Sequence, residues 1–200
     1  MVMRLHHFIG ETLAEGPGAR ACLWVQGCSI QCAGCSQPHT WDASLGREVS
    51  VEALASTISG ITSIEGVTFL GGEPFEQAVE LAELGRRLRE RGLSIMTFSG
   101  YTLDKLEKMG LPGTEELLAV TDLLIDGPYV ATKPDTARPW VGSTNQRFHF
   151  LTDRYRHLKD DLERIPNRIE IRIAADGLMT ANGMLALDTL RQLLAARKSA

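Results

Sequence analysis

Three of the four cysteines, Cys28, Cys32 and Cys35, fall within eight residues in a C-x3-C-x2-C pattern. Any fold this chain adopts must therefore carry three thiols on one short loop. Disulfides between residues so close have to meet narrow geometric limits. A secreted disulfide scaffold is smaller and spreads more cysteines along its chain. Three clustered thiols in a reducing compartment read instead as metal ligands, and thiolates select zinc, cuprous copper or iron–sulfur clusters. A closed zinc site wants four ligands, and His39, four residues past Cys35, offers a Cys3His set. Three cysteines without a fourth suit a cubane cluster whose last iron stays open to an exogenous ligand. Gly27, Gly34 and Ser36 keep the loop slim enough for close backbone approach to a cluster or its ligand. Cys22 sits inside a strand-like run and reads as a small buried apolar residue.

The rest of the chain supplies an ordinary globular frame for this loop. Its 200 residues are 44% hydrophobic and 23% charged, which argues one folded domain over 1–200 and against disorder. A net charge of −4 gives no basic footprint for nucleic acid and no polybasic membrane anchor. No apolar run approaches the ~20 residues that span a bilayer. Met1 to Gly10 carries two histidines where a signal peptide needs its apolar core, so a cytoplasmic protein is expected.

Strand-like and helix-like stretches alternate, which favours an α/β fold with a parallel sheet and crossover helices. Strands are expected at Leu5–Ile9, Ala21–Gln26, Val67–Leu70, Leu93–Phe98, Leu123–Ile125, Phe148–Leu151 and Arg168–Ala174. Helices are expected at Val51–Ile58 behind the N-cap Ser50, at Gln77–Arg91 before Gly92, at Leu103–Met109, at Glu115–Val120 and at about Leu185–Arg197. Residues 127–147 read as one long loop, a length that is usually functional. Cysteines follow one strand, Gly71-Gly72-Glu73-Pro74 a second, Ser99-Gly100-Tyr101 a third and Asp126-Gly127-Pro128 a fourth. Ligands bind at the C-terminal ends of parallel strands, so these four loops point to one site.

These motifs carry a resemblance. The cysteine loop after the first main strand, with Gly71-Gly72-Glu73 after the next, resembles the radical S-adenosylmethionine (SAM) superfamily. More narrowly, several stretches resemble the small activating enzymes of glycyl radical enzymes, above all those of anaerobic ribonucleotide reductase. They are Gly16-Pro17-Gly18-Ala19-Arg20, Trp24 to Cys35, Gly71 to Pro74, Ser99-Gly100-Tyr101, Asp126-Gly127 and the run Gly142 to Arg147. They cover about residues 15–150.

The resemblance implies a partial (β/α)6-type radical SAM barrel, completed by the strand and helix of about 165–200. It implies a [4Fe-4S] cluster on Cys28, Cys32 and Cys35, with SAM chelating the open iron through its amino and carboxylate groups. Reductive cleavage of SAM would give methionine and a 5′-deoxyadenosyl radical that abstracts a hydrogen atom from the substrate. No proton-transfer catalyst is needed, and none is named. Gly34, Cys35 and Ser36 would border the bound SAM, and Gly71, Gly72 and Glu73 would receive its amino group. Ser99 and Asp126 would face its ribose and methionine parts. As plain structure, Glu73 would be a helix-start acid, Ser99 a loop hydroxyl and Asp126 a turn former.

Two departures stand out. Gly34 occupies a position where many superfamily members carry an aromatic beside adenine, and the ribonucleotide reductase activators have glycine there. Pro128 stands where those activators have a lysine, so the holder of the SAM carboxylate is open. Arg172 could substitute if the polar face of its strand, Arg168, Glu170 and Arg172, lined the lumen; a solvent-facing edge is slightly preferred. Lys133, Arg138 and Arg147 could meet a partner or the nucleoside. Trp41 and Trp140 could anchor a partner, with packing the use of at least one. His6, His7, His149 and His157 receive no role. The implied partners are a glycyl radical enzyme as protein substrate and flavodoxin or ferredoxin as electron donor. With only Cys22 left over, no cysteine-ligated second cluster is available. Two readings compete: the same chemistry on a small molecule or peptide, and a zinc-stabilised binding module.

Overall fold

Glycine and proline cut the apolar runs into short elements, which the structure, a computed structural model describing residues 1–184, assembles around one mixed sheet. Its strands are β1 (Val2–Thr12), β2 (Arg20–Val25), β3 (Arg47–Ser50), β4 (Gly66–Gly71), β5 (Ser94–Phe98), β6 (Leu123–Asp126) and β7 (Arg147–Phe150). Their order is β3-β1-β2-β4-β5-β6-β7. The central four, β2, β4, β5 and β6, run parallel, and β1, β3 and β7 pair antiparallel at the edges. Parallel neighbours need crossovers. Helix α1 (Val51–Ser59) precedes β4, α2 (Ala78–Arg89) joins β4 to β5, and α3 (Leu103–Met109) with α4 (Thr114–Val120) joins β5 to β6.

Strand alternation assigns each face of the sheet to a different core. Ala21, Leu23, Val25, Val67, Phe69 and Ile95 meet Leu54, Ile58, Leu81, Leu84 and Leu88 on the helix side. Helix α2 forms because its leucines recur at helical spacing, and Gly92, with φ +81, lets the chain reverse after it. Truncating the fully buried Leu84 to alanine would cost ~2–5 kcal/mol. On the other face Met96, Leu123 and Ile125 lie under Trp140, Val141 and Tyr155, so the chain after β6 folds back over the sheet. At the N-terminal end of β2, Arg20 is fully buried and donates to Thr68, Ser94, Tyr155 and the carbonyls of Pro17 and Val67. That network seals the end of the sheet opposite the cysteine loop.

The α/β architecture and the parallel centre of the sheet agree with the sequence reading, and closure into a (β/α)6-type barrel is not shown among the described residues. Four strands are parallel, and β6 is followed by the antiparallel β7. The expected strand Arg168–Ala174 is β8 (Ile169–Ile173), which among the described residues pairs with β9 (Met179–Gly183) in a separate hairpin. The polar sequence of β9 gave no strand signal. The expected helix Leu185–Arg197 lies outside the described residues. Among those residues no helix is long and apolar enough to cross a membrane.

Candidate active site

The cysteine loop leaves β2 through a neck of backbone bonds. Gly27 N donates to Thr40 O at 2.7 Å and Cys28 N to Trp41 O at 3.0 Å. Gln26 Nε2 adds bonds to the carbonyls of His39 and Asp42, at 2.9 and 2.8 Å. Residues 28–39 therefore project as a loop closed at its base. All three thiols are free and partly exposed, whereas Cys22 is buried as expected. Cys35 N donates to Cys32 O at 3.1 Å, and Gln37 N to Cys35 Sγ at 3.3 Å. Burial pushes the Cys28 thiol above its ordinary pKa, while the backbone N–H groups of Gln31 and Ile30 pull it down. Gly34 takes φ +80, a region that favours glycine, and a Cβ there would sit 3.2 Å from the Ala131 Cβ.

The Gly71-Gly72-Glu73 turn at the end of β4 is bonded to that neck. Gly72 N donates to Val25 O and Glu73 N to Gly27 O, both at 2.8 Å. A Cβ on Gly72 would fall 2.1 Å from Gly27 O, so only glycine permits this approach. Glu73 is 1% exposed. Its carboxylate accepts from Phe75 N at 3.0 Å, Ser99 Oγ at 2.9 Å and Gly100 N at 2.8 Å. Burial raises its pKa from 4.5 to about 7, with those three donors opposing the rise. Ser99 is thus joined to Glu73, and its hydroxyl also accepts from Tyr101 N at 3.0 Å.

Asp126, at the end of β6, is fully buried. It accepts from Leu103 N at 2.6 Å and from the Arg147 guanidinium at 2.8 and 3.1 Å, with His149 Nε2 at 3.0 Å from Oδ2. Burial alone would raise its pKa; Arg147, Leu103 N and His149 together hold it below the ordinary range. Arg147 and His149 thus gain a role the sequence did not show. Asp135 holds Arg138, and Trp140 is buried in the core. Arg172 is engaged by Glu170 and Asn182 Oδ1 within the β8–β9 hairpin and by Glu11 O on β1. Ser36 is exposed on the cysteine loop.

Sequence reasoning named Ser29 and Tyr101 only as members of site loops and missed Glu76, which brings the three together beside the cysteines although they lie far apart in the chain. No short-range pattern marks such a meeting. It also missed that His39 turns to His6, ring centroids 4.7 Å apart.

The family model of 4Fe-4S single cluster domains matches residues 14–149. The anaerobic ribonucleoside-triphosphate reductase-activating protein of Vibrio cholerae is 31% identical over 158 residues, covering 75% of this chain and 99% of that protein. This chain belongs to that family. The protein of the same description from Salmonella typhi is 29% identical over 157 residues, covering 74% and 99%. The pyruvate formate-lyase-activating enzyme of Clostridium pasteurianum is 33% identical over 132 residues, covering 62% of this chain and 52% of that enzyme. The chain is a radical SAM enzyme of the glycyl-radical-activating type, and membership implies a 4Fe-4S cluster and SAM.

The residues present fit that pair of groups. In a cubane each thiolate takes its own iron, and three soft, partly exposed thiols on one loop suit that. Beside them lies Glu73, a buried carboxylate whose partners are all neutral.

Proposed function

We propose that this enzyme cleaves SAM reductively at a [4Fe-4S] cluster on Cys28, Cys32 and Cys35 and installs a glycyl radical on a partner such as an anaerobic ribonucleotide reductase. One observation carries the reading: Gly71-Gly72-Glu73 is bonded onto the root of the cysteine loop through Glu73 N and Gly27 O at 2.8 Å. Thiols for a cluster and an acceptor for an ammonium thereby stand side by side. When bound, cluster and SAM together supply a 5′-deoxyadenosyl radical that takes a hydrogen atom from the substrate.

The chain's own residues bind and orient. The three thiolates hold three irons, while Gly34 and Ser36 keep side-chain bulk off that face. The backbone of Gly71 and Gly72 and the carboxylate of Glu73 receive the SAM amino group, favoured because the described partners of Glu73, Phe75 N, Ser99 Oγ and Gly100 N, are all neutral. Ser99 fixes the Glu73 carboxylate. Asp126 holds Arg147 and the start of α3, shaping the rim that faces the rest of SAM. Flavodoxin or ferredoxin would deliver the electron, in a cytoplasm reducing enough to keep the thiols free.

The test is anaerobic reconstitution with iron and sulfide, then reduction with SAM beside a candidate partner. A glycyl radical EPR signal on the partner is expected. SAM cleavage with no such signal on any partner would favour a small-molecule or peptide substrate instead.

A further inference from the structure

We infer that Glu76 is a positioning residue for the cluster loop, holding Ser29, and through it Cys28, in a latch that includes Tyr101; this rests on the cluster reading above. Glu76 lies in the short helix Pro74–Gln77 that follows the Gly71-Gly72-Glu73 turn. Its Oε1 accepts from Ser29 N at 2.9 Å, Ser29 Oγ at 2.5 Å and Tyr101 OH at 3.1 Å. Ser29 Oγ and Tyr101 OH are themselves 3.0 Å apart, and Lys105 Nζ stands 4.6 Å from the Tyr101 ring centroid. One carboxylate oxygen therefore ties together the cysteine loop, the turn after β4 and the loop after β5.

An apolar contact reinforces the latch one residue later. Ile30 Cδ1 fills the space over Gly100, where a Cβ would come within 2.7 Å. Ser29 and Ile30 are thus fixed before the chain turns at Gln31, a non-glycine residue with φ +49. On the other side, Cys28 N is bound to Trp41 O. The backbone at Cys28 is held from both directions by protein groups alone, so its thiol is placed before any metal arrives.

The latch also carries charge. Ser29 donates both its N–H and its O–H to Glu76, the arrangement an ionised carboxylate satisfies. A negative group next to a cluster ligand opposes entry of an electron, and cluster potentials respond to local charge and hydrogen bonding. Glu76 is exposed, so salt weakens this effect.

The test compares wild type with Glu76→Gln, Glu76→Ala and Tyr101→Phe. Cluster midpoint potential is measured without SAM, and amide exchange at Ser29 is measured in the apo-protein. Glu76→Gln is expected to load as much iron as wild type with a more positive midpoint, a shift that shrinks in high salt. Tyr101→Phe keeps the charge and leaves the midpoint in place. In Glu76→Ala the Ser29 amide should exchange about tenfold faster, the equivalent of one charge-assisted hydrogen bond. Wild-type midpoints in both Glu76 variants, with Ser29 exchange unchanged, would overturn the latch. A wild type that takes up zinc and no cluster would sink the cluster reading instead, and the exchange measurement would still decide the latch.

Discussion

Glu73 at the end of β4 and Asp126 at the end of β6 are both buried carboxylates on the same rim, yet they are solvated in opposite ways. Glu73 is held by two backbone N–H groups and a serine hydroxyl, all neutral, and burial drives its pKa to about 7. Asp126 is met by the Arg147 guanidinium and by His149, and its pKa stays below the ordinary range despite burial. One end of the rim keeps an uncompensated acceptor, as a site awaiting a cationic group would. The other has its counter-charge built in.

Opposite pH responses break or sharpen this contrast. The folded-state pKa of Glu73 is raised, so its contribution is full below about 4.5 and is lost as pH rises through about 7. Unfolding of the apo-protein by urea at pH 5 and pH 8 should show that loss, on the order of 3 kcal/mol at most. Glu73→Gln should remove that pH dependence, and an unchanged slope would mean that Glu73 is not the buried group responsible.

Arg147→Met comes next in size. It leaves Asp126 with Leu103 N and His149 but without its guanidinium, and because the Arg147 side chain is 46% exposed the cost is discounted to roughly 2 kcal/mol. The Asp126 contribution runs the other way from that of Glu73, being present above its ordinary pKa and lost as pH falls below it. The penalty of Arg147→Met should therefore shrink in acid, and a denaturant series from pH 7 to pH 3 checks this. Ser99→Ala removes one of three donors to Glu73. It should cost about 1 kcal/mol at pH 8 and less at pH 5, where Glu73 is protonated. His149→Gln, at a contact without good hydrogen-bond geometry, should change stability least, by under about 1 kcal/mol.

What could be read in advance follows from how local each signal is. Cys28, Cys32 and Cys35 share one loop, and Gly71-Gly72-Glu73 and Asp126 announce themselves at strand ends. Their convergence follows from the parallel order of β2, β4, β5 and β6. The expected strand Leu5–Ile9 is shorter than β1, whose register shifts between Ile9 and Thr12, just past the expected end. Strand β3 was missed because it is a mostly exposed edge with no apolar face. The bond between Glu76 and Tyr101 has no counterpart in the sequence reading because a side-chain bond 25 residues apart leaves no periodic trace. The pairing of Arg147 with Asp126 across 21 residues is hidden for the same reason. The barrel expectation rested on the family resemblance, and among the described residues the parallel run of strands ends at β6.

The most direct measurement is EPR of the anaerobically reconstituted, reduced enzyme with and without SAM, alongside metal analysis. About four irons per chain and a cluster signal that changes when SAM is added are expected, and triple substitution of Cys28, Cys32 and Cys35 by alanine should abolish both. Stoichiometric zinc, or a cluster signal indifferent to SAM, would contradict the assignment of these three thiols.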